Sequence, residues 1–292
     1  MRIPVNAIEL DGITKSFASG LSGVTVCALR NVTRRIPEGE TVGLLGSNGS
    51  GKTTLLKIIL GLLAPTAGTC RVFGVPSNCI DARRFVGYLP EAPEFYPFLT
   101  GIELVRFFAR LGGLPGRGRE GLIRAAIAEV GMSGAAGRRV GTYSRGMKQR
   151  IGLAQALVTN PRLVILDEPT ANLDPEGAAA VCGVIRRVRA RGGTVLLSSH
   201  QLNHIEDLCD RVAFLNRGRL VMWAAKNEFA PQRMDGGLLV ESLPKACRPE
   251  LRIWLEDRGA RMEGGPIPQR SRLEQVFMAA AGCAPPDERE IP

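Results

Sequence analysis

Apolar residues fall into two alternating rhythms along this chain. Four short runs are continuously apolar: TVGLLG at 41–46, VGYL at 86–89, LVILD at 163–167 and TVLLSS at 194–199. A strand with no polar face is one covered on both faces, as in a parallel sheet between helices. Between the runs, apolar positions recur every three to four residues and predict helices over 53–63, 100–111, 120–130, 147–159 and 175–191. Strands alternating with helices give an α/β fold on a mostly parallel sheet. VCALRNVTRRIPEG at 26–39 reads as a shorter antiparallel strand and turn, a small antiparallel part beside the main sheet. Residues 92–160 are mostly helical, carry the loop GGLPGRGRE, and read as an inserted α-helical subdomain. After about 225 the composition changes. APQRMDGG reads as a linker, followed by a short strand near 238–241, a helix near 249–258 and a closing helix near 271–281. The expected organisation is a main domain over 1–225 and a small α+β extension over 226–292.

With 292 residues, 45% of them hydrophobic, the chain can bury one sizeable core. Its mean hydropathy of +0.03 is that of a soluble protein. No run of about 18 apolar residues occurs, so no membrane span is expected. The start, MRIPVNAIEL, lacks the apolar core of a signal peptide. Seven scattered cysteines without a C-x-x-C pair point to free thiols in a reducing cytosol rather than a disulfide or zinc framework. The net charge of +10 fits a solvated basic surface, nucleic acid or an anionic membrane face. At 5% aromatic, with the charges dispersed, base-stacking platforms are not expected.

The first chemical motif is GSNGSGKT, Gly46 to Thr53, between a buried strand and a helix. In a chain with 35 glycines, a glycine-rich turn needs those flanks to mean more than a turn. With them, the reading is a phosphate loop. Gly46, Gly49 and Gly51 let the backbone curl, so that the N–H groups of Ser47, Asn48, Ser50 and their neighbours surround a β-phosphate. Lys52 reaches the β and γ oxygens, Thr53 offers a hydroxyl to Mg²⁺, Thr54 follows it, and the helix dipole adds to the site. LVILDEPT runs from an apolar strand into Asp167 and Glu168. Such an acid pair is ordinarily a helix cap and turn. Beside a phosphate loop, Asp167 suits Mg²⁺ and Glu168 suits the base that activates water. His200 ends a third apolar strand and suits contact with the γ-phosphate, while His204 reads as a surface residue. In GTYSRGMKQR at 141–150, the hydroxyl of Ser144 and the bare backbone of Gly146 precede an apolar helical face beginning at Met147. That is an anion site without catalytic groups.

In this order the motifs resemble the nucleotide-binding subunits of ABC transporters, over about residues 5–225. GSNGSGKT resembles Walker A, LVILDE resembles Walker B, ANLD with Asp174 resembles the D-loop, and His200 stands at the switch histidine. YSRGM stands where the family writes LSGGQ, with Arg145 in place of its first glycine. Phe17 in TKSF stands where the family stacks an aromatic ring on adenine; otherwise it is a core residue. Glu91 in VGYLPEAPEFYP occupies the position of a glutamine that, in the family, joins the catalytic core to the helical subdomain and touches Mg²⁺. The YLPE form and the tail SRLEQVFMAAAG resemble exporter ATPases of the drug, polysaccharide and gliding type, and in places the ATPase serving maturation of the copper enzyme nitrous-oxide reductase.

The resemblance implies a P-loop NTPase that binds ATP and Mg²⁺ and hydrolyses ATP. Its implied partners are a separate transmembrane permease and a second ATP-binding subunit, as a homodimer in which Ser144 and Gly146 of one subunit close on the nucleotide of the other. It would sit in the cytoplasm at the inner face of the cell membrane, through the permease. No nucleic acid partner is expected, although a soluble ABC ATPase acting on nucleic acid or the ribosome is the alternative. No N-K-x-D motif for guanine occurs.

Overall fold

The computed structural model describes residues 6–18, 25–171, 173–199, 205 and 207–226. Both histidines, Asn172, the linker and the elements expected near 238–241, 249–258 and 271–281 lie outside the described residues.

In chain order the strands are β1 (Asn6–Ala18), β2 (Thr25–Pro37), β3 (Thr41–Leu45), β4 (Ala67–Val72), β5 (Val75–Pro76), β6 (Val86–Leu89), β7 (Leu163–Asp167), β8 (Thr194–Ser199), β9 (Arg211–Asn216) and β10 (Arg219–Ala225). The helices are α1 (Lys52–Ile59), α2 (Ile80–Arg83), α3 (Gly101–Leu111), α4 (Arg119–Glu129), α5 (Arg145–Leu157) and α6 (Pro175–Ala190). An antiparallel sheet has the order β2-β1-β4-β5, and a second sheet has the order β10-β9-β3-β8-β7-β6. In the second sheet only the edge strand β10 runs antiparallel to its neighbour.

All residues of β3, β7 and β8 are buried, as their unbroken apolar runs require. Successive residues serve two cores. Leu163, Ile165 and Leu196 face a cluster that includes Ile8, Ile13, Leu29 and Leu56 of the antiparallel sheet and α1. Val164, Leu166, Val195 and Leu197 face a cluster shared with α3, α4, α5 and α6. The helical segment between β6 and β7 is thus one wall of the second core. Arg191, the residue that caps the end of α6, holds Glu129 at the end of α4 at 2.8 Å, which ties that wall to the helix between β7 and β8.

Local chemistry sets the helix ends. Thr100 and Glu103 form a capping box at the start of α3. Hydrogen bonds from the Thr100 backbone and hydroxyl hold the Glu103 carboxyl below its ordinary range. Asp174 caps α6, accepting from the Gly177 N–H at 2.9 Å, with Pro175 in the first turn. The helix expected over 53–63 stops at Ile59, where Gly61 in the left-handed region turns the chain. The helix expected from Met147 begins at Arg145, because the Ser144 hydroxyl accepts from the Met147 N–H. The antiparallel part is also larger than expected. β2 is 13 residues long, and β1, β4 and β5 join it. β9 and β10 extend the main sheet beyond the four expected strands.

Candidate nucleotide site

The carboxyl ends of β3, β8, β7 and β6 form one rim. Leu45 lies opposite Ser199, Asp167 opposite Ser198, and Leu89 opposite Leu166. The segment from Gly46 to Thr53 leaves β3, Asp167 and Glu168 close β7, and Glu91 follows β6 by two residues. Open α/β sheets bind ligands along such a rim.

The glycine loop is shaped by its surroundings as well as by conformation. Gly51 has φ 108 and caps α1 in the left-handed region, and a Cβ there would approach the Ala28 carbonyl oxygen to 2.6 Å. A Cβ at Gly46 would overlap the Leu215 carbonyl and the Ser50 hydroxyl. Ser47, Asn48 and Gly49 form the exposed turn between them. Lys52 is 7% exposed and bends back into the loop. Its ammonium donates to the carbonyls of Gly46 at 2.7 Å and Ser47 at 3.3 Å, and lies 3.9 Å from Glu168 Oε1. Thr53 Oγ1 donates to Asp167 Oδ2 at 3.4 Å. Thr54 follows on α1 and is half-buried.

Ser198, which sequence reasoning missed, braces the acid pair. Its hydroxyl donates to Asp167 Oδ1 at 2.6 Å and accepts from the Glu168 N–H at 2.9 Å. Asp167 and Glu168 are both buried, and Glu168 takes φ 49, rare for a residue with a side chain. On the neighbouring strand, burial first and the Asp167 charge second push the Tyr88 phenol up to about 12. The signal for Ser198 was a hydroxyl inside an otherwise apolar strand. Its use appears only once that strand is paired with β7.

The other candidates are placed as follows. Phe17 is 43% exposed and so not a core residue; the Lys15 ammonium lies 5.2 Å from its ring centroid. It pairs with Val26 on β2, whose Ala28 carbonyl borders Gly51. Glu91 is exposed. Ser144 is exposed and caps α5. Gly146 lies in the first turn of α5, and the nearest atom to a Cβ there would be Leu173 Cδ2 at 3.8 Å. Among the described residues, no hydrogen bond or ion pair joins 144–147 to the loop at 46–54. His200 lies outside the described residues.

The arrangement fits a nucleoside triphosphate with its cation. The Ser50 hydroxyl, in a residue 2% exposed, has no partner among the described residues and belongs to the loop itself. Thr53 and Asp167 bring a hydroxyl and a carboxylate together at the helix N-terminus, a hard-oxygen donor set of the kind magnesium prefers.

Comparison with known proteins agrees with this geometry. The family model for ABC transporters matches residues 29–171. The chain is 39% identical over 231 residues to the uncharacterized ABC transporter ATP-binding protein YxlF of Bacillus subtilis (strain 168), covering 79% of this chain and 75% of that protein. It is 34% identical over 270 residues to the Nod factor export ATP-binding protein I of Burkholderia orbicola (strain AU 1054), covering 84% and 88%. An ATP-binding cassette solved as a dimer in a post-hydrolysis state with ADP and Pi superposes with a TM-score of 0.68 at 27% identity, over 75% of this chain and 98% of that one. A P-loop at the rim of a parallel sheet, with an acid pair on a neighbouring strand and this kinship, makes the chain a member of the ABC transporter family, one of its ATP-binding and ATP-hydrolysing subunits.

Proposed function

We propose that this subunit is the motor of an exporter whose permease is a separate membrane polypeptide, and that it works as a homodimer at the inner face of the cell membrane. In this reading Lys52 takes the β and γ phosphate oxygens, and the N–H groups of 46–54 wrap the β-phosphate. Thr53, Asp167 and Glu91 hold Mg²⁺, which when bound neutralises phosphate charge and fixes its geometry. Glu168 takes the proton of the attacking water. Phe17 stacks on adenine, and His200 contacts the γ-phosphate. Ser144 and Gly146 close on the partner subunit's nucleotide. Residues 226–292 are an extension outside the ATPase unit.

The observation that carries this reading is the convergence on one rim of Lys52, Thr53, Asp167 and Glu168, within 3.9 Å of one another in pairs. The shared-site reading is supported by Gly146: its own chain offers room for a side chain there, so the fold does not call for glycine. Export is supported by the relative named for Nod factor export. A partner surface is supported by Tyr96 and Phe98, which are exposed with their rings 5.7 Å apart, and by the exposed Phe107 and Leu111 of α3. No helix among the described residues is long and apolar enough to cross a membrane.

The test has two parts. Lys52→Ala removes the principal cation of the phosphate site and should abolish ATP binding or hydrolysis; wild-type turnover would overturn the site assignment. Purification of the full chain from detergent-solubilised membranes should bring down a polytopic membrane protein. Recovery with ribosomes instead would overturn the transporter-motor reading.

A further inference from the structure

Lys15 is a cation that the phosphate chemistry leaves unused, and its surroundings fix it in place. Its ammonium donates to the Ala64 carbonyl at 2.8 Å and lies over the ring of Phe17, 5.2 Å from the centroid. A cation within about 6 Å of a ring centroid is attracted by the ring's quadrupole. Ala64 belongs to the loop between α1 and β4, and the same loop holds β1 on both sides of Lys15 in sequence. The Thr66 N–H donates to the Thr14 carbonyl at 2.8 Å, and the Ser16 N–H donates to Thr66 Oγ1 at 3.0 Å. The ammonium is therefore anchored at the ring.

Lys15 and Phe17 stand two residues apart on β1, so their side chains share a face. The register shift between Lys15 and Ser16 falls on the partner strand. Lys15 pairs with Leu29 and Ser16 with Cys27, so Ala28 is the extra residue of a bulge in β2. Its carbonyl oxygen is the one that a Cβ at Gly51 would approach to 2.6 Å. Phe17 pairs with Val26, two strand residues from that bulge, or roughly 7 Å along β2. The bulge thus sets the exposed ring at a fixed distance from Gly51, the N-cap of α1 inside the phosphate loop.

We propose that Lys15 is the positioning residue for Phe17 and a determinant of base preference: anchored on one face of the ring, it orients the ring and makes the opposite face a better partner for a purine. The inference rests on the reading, given above, of Phe17 as the surface on which the base stacks. Two aromatic faces are each negative and repel when laid flat on one another. A cation behind one ring draws its π density away from the other face and eases that repulsion. Purines gain more than pyrimidines, because two fused rings overlap the phenyl ring more fully. The anchor lies in the loop that leaves α1, so the ring is also tied to the helix whose first turn carries Lys52 and Thr53.

The experiment measures steady-state hydrolysis of ATP and CTP by the purified full chain, for Lys15→Met, Phe17→Leu and the double variant. Methionine keeps the apolar stem and removes the charge. Lys15→Met should raise the KM for ATP about two- to fivefold, the size of one exposed cation–π contact, with kcat within about twofold and the KM for CTP changed less. Lys15→Arg keeps the cation and should retain the wild-type KM. In the Phe17→Leu background, Lys15→Met should add nothing, because the cation has no ring to act on. Affinity for tripolyphosphate, which has no base, should be the same in every variant; a merely structural loss of the Ala64 bond would disturb α1 and weaken it. An unchanged KM for ATP in Lys15→Met, losses that multiply in the double variant, or a matching loss of tripolyphosphate affinity would each overturn the proposal. Phe17→Leu with a normal KM for ATP would overturn the stacking reading and this proposal with it. A raised KM in Phe17→Leu with none in Lys15→Met would overturn this proposal alone.

Discussion

Consider Ser198→Ala. The hydroxyl is completely buried and makes two bonds, to Asp167 Oδ1 at 2.6 Å and from the Glu168 N–H at 2.9 Å. Alanine at this position leaves a buried N–H and a buried carboxylate oxygen each short of one partner. Orphaned groups of this kind cost ~1–3 kcal/mol apiece, so the variant should lose about 3 kcal/mol in all. For a chain near this size that is ~6–12 °C in unfolding temperature. The effect on activity follows from the same two bonds. Glu168 is held at φ 49, a conformation that costs ~1–3 kcal/mol and lasts only while its surroundings enforce it. Releasing one restraint lets the carboxylate drift, and a misplacement of about 1 Å costs on the order of 100-fold in rate. A kcat reduced ~10–100-fold is expected. Thr41→Val is the control. Thr41 is equally buried, but its hydroxyl has no partner among the described residues, so an isosteric methyl orphans nothing and should be neutral or stabilising. Urea or thermal unfolding and steady-state ATPase assays on both variants measure the contrast. If Ser198→Ala unfolds at the temperature of Thr41→Val, the bracing argument is wrong.

Glu168→Gln should still bind Mg-ATP but hydrolyse it at least about 100-fold more slowly in a single-turnover assay, the scale of a lost general base. Gly146→Asp fits the room around it in its own chain, so it should bind ATP normally as a monomer, form no ATP-dependent dimer by light scattering, and lose hydrolysis. Mixed with Lys52→Ala, it should regain part of the activity through the one composite site free of both lesions. The Cys70 thiol, raised by burial from 9.0 to about 11, holds its proton more tightly folded than unfolded. Its contribution to stability is therefore full below pH 9 and lost as pH rises through about 11, and Cys70→Ala should flatten that part of a denaturation-versus-pH curve.

The main sheet was legible in the sequence because β3, β7 and β8 carry apolar residues on both faces instead of alternating them with charged ones. The phosphate loop was legible because glycine, lysine and threonine occur there at fixed offsets between a strand and a helix. β1 was missed for a physical reason. Its pairing with β2 shifts register between Asn6 and Ile8 and again between Leu10 and Ile13, and each bulge breaks the two-residue alternation by which a strand is recognised. α5 was placed two residues late because apolar recurrence starts at Met147, whereas the helix starts at the hydroxyl cap of Ser144. Ser198 was illegible in another sense. Its role depends on neighbours 30 and 31 residues away. It is not written in local spacing.

The strand that carries the phosphate loop is made early and completed late. β3 leaves the ribosome soon after residue 45, yet its flanking strands are β8 and β9; the Gly39 N–H is bound by Thr194, 155 residues further on, and the Thr41 N–H by Asp210, 169 further on. At synthesis rates of ~5–20 residues per second, the interval is roughly 8–30 s. During that time the backbone edges of TVGLL have no ladder, and an apolar strand with open edges invites wrong pairing. Its side chains fare better on one face. Val42 and Leu44 pack with Ile8, Ile13, Leu29, Leu55, Leu56 and Val72, all from the first quarter of the chain. The nascent protein can therefore shelter β3 against the antiparallel sheet and α1 before the rest exists. The parallel sheet then assembles around a strand already held on one side, and a lesion in β1 or β2 should show first as poor yield during synthesis rather than as weak catalysis in the finished molecule.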